Sequence, residues 1–356
     1  MVAGGVIADH FLGQSRACDQ LGSPFTAVLC RLLAERLDDT TEFGRRILNW
    51  SGDARADALA LRACGALHAL ARSGRAAHLR KVYPPAAPDR ERLWLSVAQA
   101  IRQQDAFLTA WLDSPPQTNE VARSSMLIGA GLTVADIVRM PLALYEIGAS
   151  AGLNLSFDRY RYVLGSGRTW GPPDAPLTVH SEWRGEAPPL DAPLEVVSRK
   201  GCDRNPLDPN SPEDVARLTS YIWADQTDRL HRIEAGLRFA AATGVKVERA
   251  DAADWLEREL SAPPSAGTCR FVFHTIVRQY LPEEVASRID TALARAGDAA
   301  TPETPLAHLS FETDYDPRGA DAGAPMTLTM WPGGRVLQLG RADYHGRWVD
   351  WVQPGK

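Results

Sequence analysis

The sequence predicts an α/β protein whose first 135 residues form a separate all-α domain. Across residues 7–135, apolar side chains recur at three- and four-residue steps, the period of an amphipathic helix. From residue 136 to 356, short apolar runs alternate with helical segments, which is typical of a sheet with crossover helices. With 356 residues, of which 45% are hydrophobic, the chain is long enough to bury two cores.

A polar cluster stands between the helical half and the apolar stretch from Met126 to Val138. Thr118 can cap the helix that begins here, because a hydroxyl accepts hydrogen bonds from the free N–H groups of a first turn. Alternatively, Asn119, Glu120 and Arg123 face the open end of the sheet that follows. We also expect the helical domain to cover that open end and to shape a pocket for an acceptor.

The first strand of the α/β domain is the apolar run Leu142 to Ile147, which leads directly into a turn with Gly148 and Gly152. A continuous apolar run is typical of a parallel strand covered on both faces, and glycine allows torsions and close approaches that a side chain blocks. Glu146 stands at the end of this strand. The turn predicts a cofactor site, although a strand-to-helix turn in another α/β fold has similar spacing.

Residues 153–162 follow the turn and are rich in side chains that both stack and hydrogen-bond, including Arg159 and Tyr160. They suit the wall of a site, and equally the exposed face of a surface helix. Residues 165–193 carry Gly, Pro and Trp around one alternating run, Leu177 to Trp183. We interpret this segment as an inserted hairpin.

Later predicted strands end at side chains that can bind or titrate. Asp203 follows the strand of residues 194–198, Asp251 follows the strand that begins at Val245, and His274 ends the strand that begins at Cys269. An Asx turn explains Asp203 as well, and a lone histidine is often a hydrogen-bonded structural residue. A fifth strand and a hairpin over residues 306–339 close the domain.

The spacing from Glu146 to Gly152 resembles the first motif of class I S-adenosylmethionine (SAM) methyltransferases, with Ser150 in place of its middle glycine. Asp203, in Gly-x-Asp-x-Asn-Pro, and Asp251, in Asp-Ala, are similar to later acidic positions of that family. The resemblance implies a Rossmann-like class I methyltransferase sheet with a terminal β-hairpin over residues 136–356. It also implies S-adenosylmethionine as the cofactor.

The resemblance further implies individual roles. Asp203 accepts hydrogen bonds from the ribose hydroxyls, Asp251 receives the adenine amino group, and the backbone of Ala252 meets a ring nitrogen. The implied catalytic residues are His274, as general base because an imidazole is largely neutral at pH 7, with Glu120 and Tyr160 beside it. The implied cofactor-binding residues are Glu146, Gly148, Ser150, Gly152, Asn154, Asp203, Asp251 and Ala252. From their positions in the chain, we expect Asn119, Arg123 and Arg159 to bind the substrate.

Several longer sequence motifs resemble those of an uncharacterised bacterial family known as a domain of unknown function. They are Gln-Thr-Asn-Glu, Glu-x-Gly-Ala-Ser-Ala-Gly-Leu-Asn, Asp-Arg-Tyr, Trp-x-x-Gln-Thr-Asp-Arg and Gly-Arg-Trp. The likeness extends over nearly the whole chain. The expected activity is methyl transfer to a small molecule by in-line displacement, and the alternatives are intramolecular alkylation by SAM or a regulatory protein that binds SAM without turnover.

Composition narrows the other possibilities. A formal net charge of −5 argues against a general nucleic-acid binder. The five cysteines are scattered and lack Cys-x-x-Cys spacing, so we expect a reducing, cytoplasmic location and no metal site. We expect neither a secretory signal nor a membrane span. The predicted partner is a small-molecule acceptor, and the oligomeric state and the acceptor's identity stay open.

Overall fold

The computed structural model describes residues 5–165, 167–314 and 322–353. Its helices are α1 (Val6–Gln20), α2 (Pro24–Arg36), α3 (Glu42–Leu48), α4 (Leu59–Arg72), α5 (Ala77–Arg80), α6 (Arg90–Gln103), α7 (Asp105–Trp111), α8 (Ser124–Val138), α9 (Pro212–Ser220), α10 (Thr227–Thr243), α11 (Ala252–Ser261) and α12 (Glu283–Asp298). Short 3₁₀ helices span Val121–Arg123, Asn154–Arg159 and Arg278–Tyr280. The strands are β1 (Leu142–Ile147), β2 (Arg161–Val163), β3 (Thr169–Trp170), β4 (Thr178–His180), β5 (Glu182–Gly185), β6 (Val196–Asp203), β7 (Val247–Arg249), β8 (Cys269–Thr275), β9 (Leu306–Phe311), β10 (Ala324–Trp331), β11 (Arg335–Ala342) and β12 (Trp348–Trp351).

The chain divides into two compact units. One comprises Met1–Thr118 with Ser211–Glu234, and the other comprises Asn119–Asn210 with Ala235–Lys356. The sequence placed the boundary at residue 135, whereas this division falls at residue 118. Helix α8 belongs to the second unit because it contacts β4 and the 3₁₀ helix Asn154–Arg159.

The first unit is built from helices, as its apolar periodicity predicts. Its core contains the buried leucines of α2 and α4, among them Leu32 and Leu67. The side chain of Asp225 accepts a hydrogen bond from the backbone N–H of Phe25 at 2.8 Å. That bond satisfies one of the free donors at the start of α2, so residues 211–234 contribute directly to this unit.

The second unit is a mixed α/β structure with a large, mostly parallel sheet. Within the described residues the sheet has nine strands, in the order β5-β12-β11-β10-β9-β8-β1-β6-β7. The strands from β9 to β7 in that order are parallel to one another, and β10, β11 and β12 join in antiparallel pairs. Strand β1 lies between β6 and β8, so the predicted first strand is a central one.

Each face of the central strands packs against a separate layer. On one face, Tyr145 and Val272 belong to a buried cluster with Trp255 of α11 and Leu293 of α12. On the other face, Phe271 and Phe273 form edge-to-face contacts with Phe157, at ring-centroid distances of 6.5 and 6.1 Å. Alternate residues of β1 and β8 therefore face different layers.

Residues 165–193, which the sequence predicted as one inserted hairpin, contribute strands to two different sheets. Strands β3 and β4 flank β2 in a small sheet, which has three strands among the described residues. Strand β5 instead pairs in parallel with β12 of the large sheet. The single predicted run from Leu177 to Trp183 is thus divided at Ser181 between two sheets.

One helical stretch of the described residues, Val121–Val138, has the length and apolar character of a membrane span, with a mean hydropathy of 1.4. It contains α8, and 78% of it is buried inside the protein. Because burial within the fold accounts for its apolar character, the stretch has the properties of a core helix.

Candidate functional site

The turn after β1 is tightly closed. The backbone N–H groups of Gly148 and Ala149 both donate to the carbonyl of Cys202 on β6, at 2.9 and 3.0 Å. Gly148 has a φ of 71°, and a Cβ atom there would lie 2.5 Å from a methyl carbon of Val277. A side chain at this position would therefore be strained and would clash with the segment that follows β8.

Ser150 occupies the position of the middle glycine of the motif, with a φ of 54°. A left-handed torsion costs a non-glycine residue about 1–2 kcal/mol, so the surrounding contacts must hold it. Its N–H donates to Oδ2 of Asp203 at 2.9 Å, and its carbonyl accepts from the N–H of Leu207 at 3.2 Å. The serine thus fits this turn without a glycine.

Asp203 stands at the end of β6, half-buried beside the turn. Besides the bond from Ser150, its Oδ1 accepts from the N–H of Asn205 at 2.8 Å, which is the Asx turn predicted as an alternative. These two bonds fix the carboxylate and leave further lone pairs on both oxygens. The structural and ligand-binding interpretations of Asp203 are therefore compatible.

Glu146 is the buried acid of the site, with 2% of its surface exposed. Its Oε2 has no hydrogen-bond partner among the described residues. Burial, followed by the nearby charge of Asp203, raises the pKa of this carboxyl well above its usual range, although Arg123 acts in the opposite direction. An uncompensated buried carboxyl at a strand end is a typical feature of functional sites.

Asp251 and Ala252 lie at the end of the neighbouring strand. The N–H of Ala250 donates to the carbonyl of Asp203 at 3.1 Å, which places the two strand ends side by side. Asp251 caps α11, and its Oδ1 accepts from Ala253 and Asp254 at 2.9 and 3.3 Å. Capping fixes the direction of this side chain, and Oδ2 is not used in either bond.

The polar cluster before α8 also reaches the carboxyl ends of the strands. Asn119 accepts from the N–H of Leu153 at 3.1 Å, directly after the glycine turn. Arg123 donates to the carbonyl of Thr275 at 3.1 Å and to that of Tyr344 at 2.8 Å. Both residues therefore contact segments at the carboxyl ends of the strands.

Oε1 of Glu120 accepts from the N–H of Ala122 at 3.2 Å. It caps the 3₁₀ helix that precedes α8, where the sequence indicated Thr118 as the cap. The cap is therefore an acidic residue two positions beyond the predicted one.

The segment after the turn is less open than predicted. Tyr160 has no exposed surface, and its hydroxyl donates to the carbonyl of Leu153 at 2.6 Å. Burial raises the pKa of this phenol. Arg159 is exposed, and Asn154 is buried with no partner for its Oδ1 among the described residues. Asn154 is thus the residue of this segment with unused hydrogen-bonding capacity beside the turn.

His274 lies at the end of β8 with 1% of its surface exposed. Its Nδ1 is 2.6 Å from Oε1 of Glu312, and its Nε2 is 3.0 Å from Nε2 of His308. Because an ionised carboxylate only accepts, Nδ1 carries the proton of the first bond. Both ring nitrogens are therefore engaged, and a substrate would have to displace one of these partners.

Glu312 is a site residue that the sequence did not predict. Its carboxylate also accepts the N–H groups of Val277 and Arg278, at 3.0 and 3.1 Å. These bonds hold the segment that presses on Gly148. Burial, with nearby His274 and Arg278, keeps the pKa of His308 well below its usual value, so the His308 imidazole is neutral at pH 7. Its position in the sequence could have indicated it, because Glu312 directly follows β9 and therefore lies at the same edge of the sheet as the other acids.

The described geometry defines an α/β protein with acidic side chains where parallel strands end. Among the described residues there is no group of three metal-ligating side chains suited to a metal ion. The chain matches, over residues 8–351, the family described as "Uncharacterized protein conserved in bacteria (DUF2332)". It belongs to that family. No curated protein and no solved structure gave a significant match.

Proposed function

We propose that this protein binds S-adenosylmethionine at the carboxyl ends of β1, β6 and β7 and transfers its methyl group to a small molecule. The order β7-β6-β1-β8-β9 supports the Rossmann-like part of this proposal. Counted in chain order, these five parallel strands are the third, second, first, fourth and fifth. Doubly wound sheets that bind nucleotides have the same strand order. In such sheets the ligand crevice lies where the strand order reverses, beside the first strand.

The observation that carries the proposal is the pairing of Asp203 with the turn after β1. A carboxylate fixed by two backbone N–H groups, with unused lone pairs, suits two neighbouring hydroxyls such as those of a ribose. The close approach at Gly148 excludes a side chain from the floor of the crevice. Ser150 keeps the torsion that the turn needs.

Glu146 supplies the second part of the fit. A buried carboxyl with an unpartnered oxygen is stabilised as an anion if a ligand brings a positive group. The amino acid portion of SAM carries an ammonium group that meets this need. Asn154, also buried with an unpartnered oxygen, can accept a further ligand N–H.

In the reaction, SAM supplies a methyl group already activated on a sulfonium. The chain's own contribution is to position the acceptor and to keep water out, which together account for much of the barrier in a displacement. Asn119 and Arg123 form one side of the positioning surface, through their bonds to Leu153 and Thr275. His274 as the base that removes an acceptor proton stays a prediction.

Calorimetric titration of the full chain with SAM and S-adenosylhomocysteine tests the proposal. We expect both to bind, and we expect Asp203→Ala to weaken binding by about 1.5–3 kcal/mol, the value of hydrogen bonds to a charged group. Asp254→Ala is the matched control, because Asp254 is an exposed acid on α11 near the same strand ends.

The proposal fails if the wild type gives neither heat nor a thermal shift with SAM or S-adenosylhomocysteine while NADH binds. It is also contradicted if Asp203→Ala and Asp254→Ala bind SAM equally well. Product analysis with candidate acceptors then separates methyl transfer from other SAM chemistry.

A further inference from the structure

Arg270 is a buried cation at the opposite end of the sheet. It is the second residue of β8, in register with Ala143 of β1, and 6% of its surface is exposed. Its Nη1 donates to the carbonyl of Leu260 at 3.1 Å. Among the described residues its Nε has no acceptor, and no carboxylate affects its pKa.

This arrangement is energetically unfavourable for the chain alone. A guanidinium keeps its charge at any ordinary pH and has five N–H donors, and arginine is almost never fully buried unless it is paired. Burial lowers the pKa of Arg270, because a buried guanidinium loses part of its solvation. A ligand anion would supply the missing counter-charge.

Two clefts meet at Arg270, with volumes of about 330 and 340 Å³. They share Arg270 and the loop of residues 262–264. The first is also lined by Thr291 and Arg295, and the second by Tyr145 and Lys200. Each volume falls in the range of about 300–1,000 Å³ that small-molecule sites occupy.

The acids on the cleft walls are already neutralised by other cations. Glu257 pairs with Arg288 at 2.7 Å. Glu259 pairs with Lys200 at 2.7 Å and with Arg258 at 3.0 Å. Arg270 and the exposed Arg295 thus remain as positive groups without an ion pair among the described residues.

We propose that Arg270 binds a small oxyanion, the carboxylate or phosphate group of a free small molecule, in the clefts at the amino ends of the strands. A planar guanidinium matches the geometry of either oxyanion, so the two groups share one binding chemistry. The site is separate from the carboxyl-end crevice and does not depend on the proposed methyl transfer.

The test compares sodium phosphate and sodium acetate with sodium chloride at equal ionic strength, by thermal unfolding and calorimetry of the full chain. We expect phosphate or acetate to raise the melting temperature beyond chloride, and the stronger response identifies the oxyanion class. Arg270→Lys keeps the charge but loses the planar fork, so its affinity for that oxyanion should fall about tenfold or more.

Arg270→Met should lose the oxyanion response completely. Arg184→Met removes the same charge from an exposed arginine of β5 that, like its partner Glu182, lines neither cleft, so it should respond like the wild type. The proposal is overturned if the wild type responds to neither oxyanion beyond chloride. Equal responses of Arg270→Lys and the wild type would also overturn it, even if Arg270→Met does not fold.

Discussion

The two ends of the parallel strands each bury an ionisable side chain with an unpartnered polar atom among the described residues. At the carboxyl end, Oε2 of Glu146 has no hydrogen bond, and at the amino end, Nε of Arg270 has none. The two side chains respond differently to burial. A carboxyl can take up a proton and become neutral, whereas a guanidinium cannot lose its charge.

The difference indicates what each end can bind. The neutral form of Glu146 is tolerated without a ligand, so this end can bind a cationic group or release it as conditions change. Arg270 carries its charge permanently, so its end favours an anion at every ordinary pH. Variants of the buried residues at each end of the sheet test this contrast.

The largest expected effect follows from removing His274. In His274→Ala, Glu312 loses its bond at 2.6 Å and remains mostly buried, with 11% of its side chain exposed. We expect the free energy of unfolding to fall by about 3 kcal/mol, because removing one partner of a buried charge-assisted hydrogen bond leaves the other partner buried and unpaired. SAM affinity should fall as well, because Glu312 holds the segment that contacts Gly148. Urea unfolding and calorimetry measure the two effects.

Glu312→Gln is the companion variant, since it weakens the same bonds from the other side. We expect it to lower stability and SAM affinity in the same direction as His274→Ala. A folded His274→Ala protein with wild-type SAM affinity and turnover reduced by about 10²–10⁴-fold would instead support His274 as a general base.

The sequence predicted the local elements of this end well. The limits of β1 and β9 follow from continuous apolar runs bounded by Gly, Pro or polar residues, which is a local signal. The acidic residues at strand ends were found because all carboxyl ends of parallel strands meet at one edge. Glu146 lies near the end of β1 and Asp251 follows β7, but β6 runs from Val196 to Asp203, whereas the sequence ended this strand at residue 198.

Long-range pairing could not be predicted in the same way. Glu312 meets His274 across 38 residues of chain, and β5 pairs with β12 far along the sequence. Arg270 lies inside an apolar run, which predicts a strand but does not indicate that the strand contains a buried, functional cation. The neighbours of Arg270 come from α11 and β1. Sequence periodicity does not identify such neighbours, so it cannot predict whether a buried cation has a partner.

The next effect concerns pH and Glu146. Because burial raises its pKa, the folded chain holds a proton that the unfolded chain has released once the pH exceeds the ordinary range of a glutamate. Stability of the wild type therefore falls as pH rises through this window, by up to about 1.4 kcal/mol per pH unit. Glu146→Gln lacks this dependence, so its stability relative to the wild type should increase from pH 5 upward.

Urea unfolding between pH 5 and 8 measures this dependence, and Glu259→Gln provides a control whose stability relative to the wild type should stay constant over this range. Burial opposes ionisation of Glu259, but Lys200 and Arg258 lower its pKa overall. Its contribution is thus present above the ordinary pKa of a glutamate and lost as pH falls. If Glu146→Gln and the wild type show parallel pH profiles, Glu146 is ionised in the folded protein and the contrast between the two ends is wrong.

The smallest expected pH effect is at the amino end, in Arg270→Met. The groups around Arg270 keep their charge between pH 6 and 9, because Arg288 lowers the pKa of Glu257 and Glu259 raises that of Lys200. In Tris chloride without oxyanions, the stability difference between Arg270→Met and the wild type should stay constant within about 0.5 kcal/mol across this range. Adding the oxyanion that binds should stabilise the wild type alone. A stability difference that follows pH would show that a titrating group of the chain compensates Arg270, and the amino end would then need no external anion.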